Sequence, residues 1–316
     1  MAILVDKNSK ILIQGITGGE GSRAAKEMIE YGLNQSKGLV GRTDLQSKSV
    51  LGTSVVCGVT PGKGGQSVEG KPVYNSVKEA RDMHPEVNVS LIAVPAPFIR
   101  KAALEAIENK IQLINILTEH VTVQDCAFIY ASAKKAGVMV IGPSSIGVIS
   151  PGLAKLGAIG SGEVKNVFTP GKVGVISKSG GMTAEISSVL SQAGIGQSTV
   201  IGIGGDQIIG SDFVDILKLF QDDPETKAVV MFGEVGGSYE EFAADFIKSG
   251  GFNKPVVAVI AGQFSEKLPK ETVLGHAGAI VSKGKGSYGS KVKALRSAGV
   301  KVTDSLVELV ELLKQL

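Results

Sequence analysis

Tryptophan is absent from this 316-residue chain, and aromatic residues make up only 5% of it. That scarcity argues against an aromatic-walled sugar cleft. Formal net charge is only +3, and no basic run is interleaved with aromatics, so nucleic acid is not an expected partner. Cysteine is limited to Cys57 and Cys126, too few and too far apart for a disulfide framework or a CxxC metal site. Both are expected to stay reduced, as in the cytosol. No apolar run approaches the roughly 18 residues of a membrane span, and the opening Met-Ala-Ile-Leu-Val-Asp-Lys is too short for a signal peptide. The expectation is a cytoplasmic protein with no membrane association. Histidine is scarce as well, at three residues.

What is abundant is glycine, at 42 residues, in a chain that is 43% hydrophobic and 20% charged. Those proportions are globular, and the length suffices for two ordinary domains. Many glycines with few aromatics suit tight strand-to-helix turns beside a ligand.

The first half opens with a buried strand, Lys-Ile-Leu-Ile-Gln over 10–14. It runs into Gly15-Ile16-Thr17-Gly18-Gly19-Glu20-Gly21 and an amphipathic helix over 22–31. Strand, glycine turn and helix begin a nucleotide-binding βαβ unit with phosphate at the helix N-terminus. The spacing is GxxGxxG and serves equally to close a corner. The strand at 55–59 ends in Thr60-Pro61-Gly62-Lys63-Gly64-Gly65, where an NAD site would carry an acid for the ribose. A lysine there suits a ligand with an extra ribose phosphate, as coenzyme A has; a solvated turn lysine is the alternative. A polar stretch at about 34–53 reads as an insertion. Strands are expected at 73, 87–94, 113–117 and 138–141, alternating with helices over 77–83 (capped by Ser76), 98–108 and 123–136. Such alternation means a parallel sheet with its site at the strand C-termini.

The Gly-rich stretch 151–170 reads as the domain boundary, giving 1–150 and 151–316. A second series then follows, flavodoxin-like, with strands at 172–176, 199–205, 229–232, 255–260 and 300–302. The first leads through Ser177-Lys178-Ser179-Gly180-Gly181 to a helix start able to hold an anion or merely to turn the chain. Glu234, in Gly233-Glu234-Val235-Gly236-Gly237, and His276, in Gly275-His276-Ala277-Gly278-Ala279, both follow parallel strands and can share one sheet edge. A histidine fenced by small residues suits an imidazole that accepts a group at one site and delivers it at another, or is an ordinary surface-loop residue. A carboxylate on one ring nitrogen would leave the other nucleophilic.

With these stretches assembled, the chain resembles the α subunit of succinyl-CoA synthetase and the matching part of ATP-citrate lyase over nearly its whole length. The residues that carry the resemblance are 15–21, 59–65, Thr118-Glu119, Gly204-Gly205-Asp206, 233–237 and 275–279. It implies a Rossmann-like CoA-binding domain followed by a flavodoxin-like parallel α/β domain. In that family His276 would be the phosphohistidine and Glu234 its partner. Thr17, Gly18, Gly19, Glu20, Lys63, Leu117, Thr118 and Glu119 would contact coenzyme A. A larger β-like ATP-grasp subunit would bind ATP and Mg2+.

Within the family, succinyl-CoA synthetases carry Ser-Gly-Thr-Leu-Thr-Tyr-Glu where this chain has Ser179-Gly180-Gly181-Met182-Thr183-Ala184-Glu185. The citrate enzymes have Ser-Gly-Gly-Met, and the lost bulk would admit a tricarboxylate held by Ser179, Gly180 and Gly181. His84-Pro85-Glu86-Val87 and Gly142-Pro143-Ser144-Ser145 lean the same way. The chain stops before a lyase module, so the expected activity is that of a citryl-CoA synthetase small subunit, with citrate or another small carboxylic acid as substrate. Succinyl-CoA synthesis and a non-catalytic CoA-binding regulator are the alternatives.

Overall fold

The apolar run after Ser9 forms β1 (Lys10–Gln14), and the glycine turn feeds α1 (Gly19–Lys37). The computed structural model describes residues 2–37, 54–160, 164–267 and 286–316. There follow β2 (Ser54–Val59), β3 (Ser67–Val68), β4 (Lys71–Tyr74), α2 (Val77–Met83), β5 (Val89–Ile92), α3 (Ile99–Glu108), β6 (Leu113–Ile116), α4 (Val123–Ala136) and β7 (Met139–Ile141). Their sheet runs β3-β4-β2-β1-β5-β6-β7. Apart from β3, which is antiparallel to β4, every neighbouring pair is parallel. Counted in chain order, the parallel strands read 3-2-1-4-5-6, the order of dinucleotide-binding folds.

The second sheet is built from β8 (Gly147–Ser150), β9 (Ala154–Gly157), β10 (Pro170–Ser177), β11 (Gln197–Gly202), β12 (Ala228–Glu234), β13 (Val256–Ala261) and β14 (Lys301–Thr303). Its helices are α5 (Val164–Val167), α6 (Gly180–Gln192), α7 (Phe213–Asp222), α8 (Tyr239–Lys248), α9 (Tyr288–Ser297) and α10 (Leu306–Lys314). The strand order is β14-β13-β12-β10-β11-β8-β9. The parallel strands β10 to β14 therefore read 2-1-3-4-5, the flavodoxin order. β5, β6 and most of β12 and β13 are buried residue after residue, as expected of strands covered by helices on both faces.

Two expectations shift. The stretch 151–170, read as a linker, holds β9 and α5, and β8 pairs antiparallel with β11. The change of sheet therefore lies between Ile141 and Gly147, upstream of 150. The hairpin is short and glycine-bearing, so it lacks the periodicity of a strand pair. Helix α1 continues past Tyr31 to Lys37 and takes up the start of the polar insertion; 38–53 lie outside the described residues.

The two sheets are bound together by α1 and the hairpin. Lys155 on β9, fully buried, lies 3.0 Å from the Glu27 carboxylate on α1. Gly152 N donates to the Tyr31 hydroxyl at 2.9 Å, and Ser150 Oγ donates to Val5 O at 2.9 Å.

Candidate functional site

In open α/β sheets a ligand binds beyond the strand C-termini, where the strand order reverses. Here that point lies between β1 and β5 in one sheet and between β10 and β12 in the other. The expected site residues that fall within the described residues lie at strand C-termini or in the loops just beyond them, those of β1, β2, β6, β10 and β12.

At the first, Gly15 has φ +84°, and a Cβ there would meet Ala93 O at 2.6 Å. A Cβ on Gly21 would meet Gly15 O at 2.2 Å. Both glycines are thus required by the fold of the turn. Gly19, by contrast, faces open space at the start of α1, where main-chain N–H groups are unpaired within the helix and the dipole favours an anion. Thr17 Oγ1 donates to Thr60 Oγ1 at 3.1 Å, joining the β1 turn to the β2 loop. That loop is held by Asn75, whose Oδ1 accepts from Gly62 N and Gly64 N, both at 3.0 Å. Lys63 is exposed at its tip. Glu20 is exposed and paired with Arg23 at 2.5 Å.

Leu117 continues from β6, its N–H donating to Ile92 O at 3.0 Å. Thr118 Oγ1 donates to Val94 O at 2.7 Å. Glu119 is exposed, 3.5 Å from Ser144 Oγ. His120 follows at φ +60° with its side chain 88% exposed, in keeping with a turn residue. His84 caps α2 and its Nε2 is 3.0 Å from the Tyr74 hydroxyl, a structural contact.

At the second point Ser179 caps α6, its hydroxyl accepting from Met182 N at 3.4 Å. A Cβ on Gly180 would meet Ile146 Cγ2 at 2.6 Å, whereas one on Gly181 would meet nothing within 4 Å. Gly180 is therefore a packing requirement, while Gly181 leaves room. Across the crevice, Glu234 ends β12. Lys178, almost wholly buried, places its ammonium 3.7 Å from the Glu234 carboxylate and 3.7 Å from that of Glu240.

The two points are connected. Ser144 N donates to Thr118 O at 3.0 Å. Asn115 Nδ2 donates to Ser145 Oγ at 2.7 Å, and Ser145 Oγ to Gly202 O at 2.6 Å. Ile146 lies against Gly180. Residues 144–146 thus touch the loop after β6 on one side and the start of α6 on the other.

His276 lies outside the described residues. The chain on either side of 268–285 is held together, because Gly289 N donates to Glu266 Oε1 at 2.9 Å. Gly286 also packs on the Glu234 loop, Gly236 N donating to Gly286 O at 2.7 Å. Burial pushes Cys57 up to about 12 and Cys126 up to about 11, with nearby carboxylates adding to both. Neither is a thiolate nucleophile at neutral pH.

Sequence reading passed over Lys178, Glu240 and Lys291, all buried. The sequence assigned them no role, since their burial is set by contacts between elements far apart in the chain. The one available signal was Gly233: a Cβ there would meet Glu240 Cγ at 2.6 Å.

A family model described as CoA binding domain matches residues 36–120, and one described as CoA-ligase matches 176–301. Over 316 residues, all of this chain and all of the relative, it is 45% identical to the succinate–CoA ligase [ADP-forming] subunit alpha 2 of Archaeoglobus fulgidus. The chain belongs to the α-subunit family of ADP-forming CoA ligases. It is 43% identical to the succinate–CoA ligase [ADP-forming] subunit alpha of Methanothermobacter thermautotrophicus over 309 residues, 98% of this chain and 95% of that one. Among solved structures it matches ATP citrate lyase from Methanothrix soehngenii, in complex with citrate and coenzyme A, with a TM-score of 0.87 and 26% identity. That match covers 99% of this chain and 50% of the lyase, so the chain spans half the length of that protein. As a family member, the chain is the small subunit of an ADP-forming acyl-CoA ligase that acts with a partner subunit. Among the described residues, no helix is long and apolar enough to cross a membrane.

Proposed function

We propose that this chain is the small subunit of a citryl-CoA synthetase, which joins citrate to coenzyme A at the expense of ATP. A larger ATP-grasp subunit, holding ATP and Mg2+, phosphorylates His276. The phosphohistidine passes its phosphoryl group to a citrate carboxylate, and the P–N bond is replaced by the P–O bond of citryl phosphate. The coenzyme A thiol attacks that carbonyl, losing its proton as phosphate leaves. Positioning and electrostatics carry such a sequence, as in phosphoryl transfer generally.

The observation that carries this reading is the bridge at 144–146, which touches both the loop after β6 and the start of α6. It brings the proposed coenzyme A contacts Leu117, Thr118 and Glu119 within one segment of the proposed acid site at Ser179, Gly180 and Gly181. Thr17, Gly18, Gly19, Glu20 and Lys63 would hold the nucleotide end of coenzyme A around the first turn. Glu234 would orient the His276 ring. Citrate is favoured over a smaller acid by Gly181, where a side chain would have entered open space, and by the fold shared with ATP citrate lyase.

A second reading, succinate as substrate, is favoured by the full-length identity to succinate–CoA ligase α subunits. Steady-state assays of the chain co-purified with its larger subunit separate the two. Citrate should be used with a kcat/KM at least about tenfold above that of succinate, a ratio within reach of one reshaped pocket. The reverse order would overturn the citrate assignment and leave a succinate ligase. Coenzyme A binding without phosphoryl exchange between ATP and ADP would leave a regulator.

A further inference from the structure

Behind Glu234 lies a group of charges with few routes to solvent. Glu240 and Lys291 are fully buried, and Lys178 is 2% exposed. One Glu240 oxygen accepts the Glu234 main-chain N–H at 3.1 Å and lies 3.7 Å from Lys178. The other accepts from the Lys291 ammonium. Lys291 donates in addition to Gly237 O at 3.0 Å and to Glu241 Oε2 at 3.1 Å. Lys178 is fixed from its own side, its N–H donating to Phe232 O at 3.2 Å.

Stability alone gives little reason for this arrangement. Buried ion pairs are often matched or bettered by apolar residues of similar volume, because desolvation cancels most of the attraction. What the arrangement does is geometric: it ties the turn after β10, the end of β12 and the starts of α8 and α9 to one carboxylate. Glu240 holds the main chain of Glu234, and Lys178 faces its side chain.

We propose that Lys178 and Glu240, backed by Lys291, are positioning residues that hold Glu234 in place and set the charge around its carboxylate during phosphoryl transfer. This rests on the reading of Glu234 as the partner of His276. Among the described residues, the groups facing Glu234 include Lys178 from the turn after β10 and Glu240 from α8, with Lys291 of α9 and Glu241 of α8 one contact further back. Lys178 is a cation beside a carboxylate that must be ionised, and Glu240 is a second anion beside it. Their removal should therefore move the acid limb of activity in opposite directions.

The test is ATP–ADP phosphoryl exchange by the two-subunit complex, followed against pH alongside thermal unfolding. K178M should shift the acid limb up by about one pH unit, and E240Q should shift it down. The double variant E240Q/K291M, which removes one charge of each sign, should return it close to wild type. Limbs that do not move, or that move the same way in K178M and E240Q, would overturn the proposal. So would loss of fold in all three variants, which would assign the charges to stability alone. E234Q separates this proposal from the one beneath it. Wild-type exchange by E234Q would defeat the role given to Glu234. A silent E234Q with unmoved limbs in K178M and E240Q would defeat only the positioning role.

Discussion

Gly181 and Gly15 show how differently two glycines of one chain can be constrained. Gly15 has a positive φ and the Ala93 carbonyl where a Cβ would sit, so any side chain there costs fold. Gly181 has neither, and the structure supplies no packing reason for it. A Cβ there would enter open space at the start of α6, and the role proposed for the position is to leave room for the larger acid. Gly181→Thr should accordingly leave stability within about 0.5 kcal/mol, read by denaturant midpoint. In steady-state assays it should lower kcat/KM for citrate while sparing that for a smaller dicarboxylate. Equal loss for both acids would mean that the position does not select substrate. The turns at 15–21 and 177–181 were legible in the sequence, because glycine and Ser-Gly-Gly patterns advertise a turn. Lys178, Glu240 and Lys291 were not. A charge becomes a site residue through burial, and burial here is set by contacts between elements far apart in the chain.

At the scale of the element, boundaries followed local chemistry where that chemistry was strong. Ser76 caps Val77–Met83 by accepting from Glu79 N at 3.1 Å. Helix Val123–Ala136 runs between the Thr122 cap and Gly137 in the left-handed region. Both helices were readable to the residue. The β8–β9 hairpin was hidden because four-residue strands with glycine at an end resemble a linker.

The contact between α8 and α9 carries a test of its own. Burial alone would push the Glu241 carboxyl up, but the Lys291 ammonium, the Ser290 hydroxyl and the Gly286 N–H outweigh it and hold it below its ordinary value. A carboxyl lowered on folding contributes stability above its unfolded pKa, and that contribution is lost as pH falls through the lowered folded value. Glu241→Gln should therefore cost about 1–2 kcal/mol near neutrality. The gap from wild type should shrink as pH drops below about 4. Denaturant midpoints across pH check this; a gap independent of pH would mean that shape, not charge, holds the two helices.

At the scale of the whole molecule, the described residues form two mainly parallel sheets, their parallel strands in the 3-2-1-4-5-6 and 2-1-3-4-5 orders, with the loop after β6 joined to the start of α6 through 144–146. Alternation of strand and helix made the fold class legible, but not the way in which the two sheets face each other. That arrangement depends on contacts such as Lys155 with Glu27, between residues that were unremarkable in sequence. Burial lowers the Lys155 pKa, and Glu27 works against that fall. Glu27→Gln leaves the ammonium buried without this counter-charge and should cost about 3 kcal/mol. Adding Lys155→Met should recover most of the loss in thermal or denaturant unfolding. No recovery would show that the pair does not couple the two sheets.

The central claim is that His276 carries phosphate from the partner's nucleotide to an acid at the start of α6. It is tested most directly by incubating the two-subunit complex with ATP labelled in the γ-phosphate. The wild-type chain should gain an acid-labile phosphate that is discharged when citrate and coenzyme A are added together. His276→Ala should gain none. Acid-labile label retained by the His276→Ala chain would contradict the account.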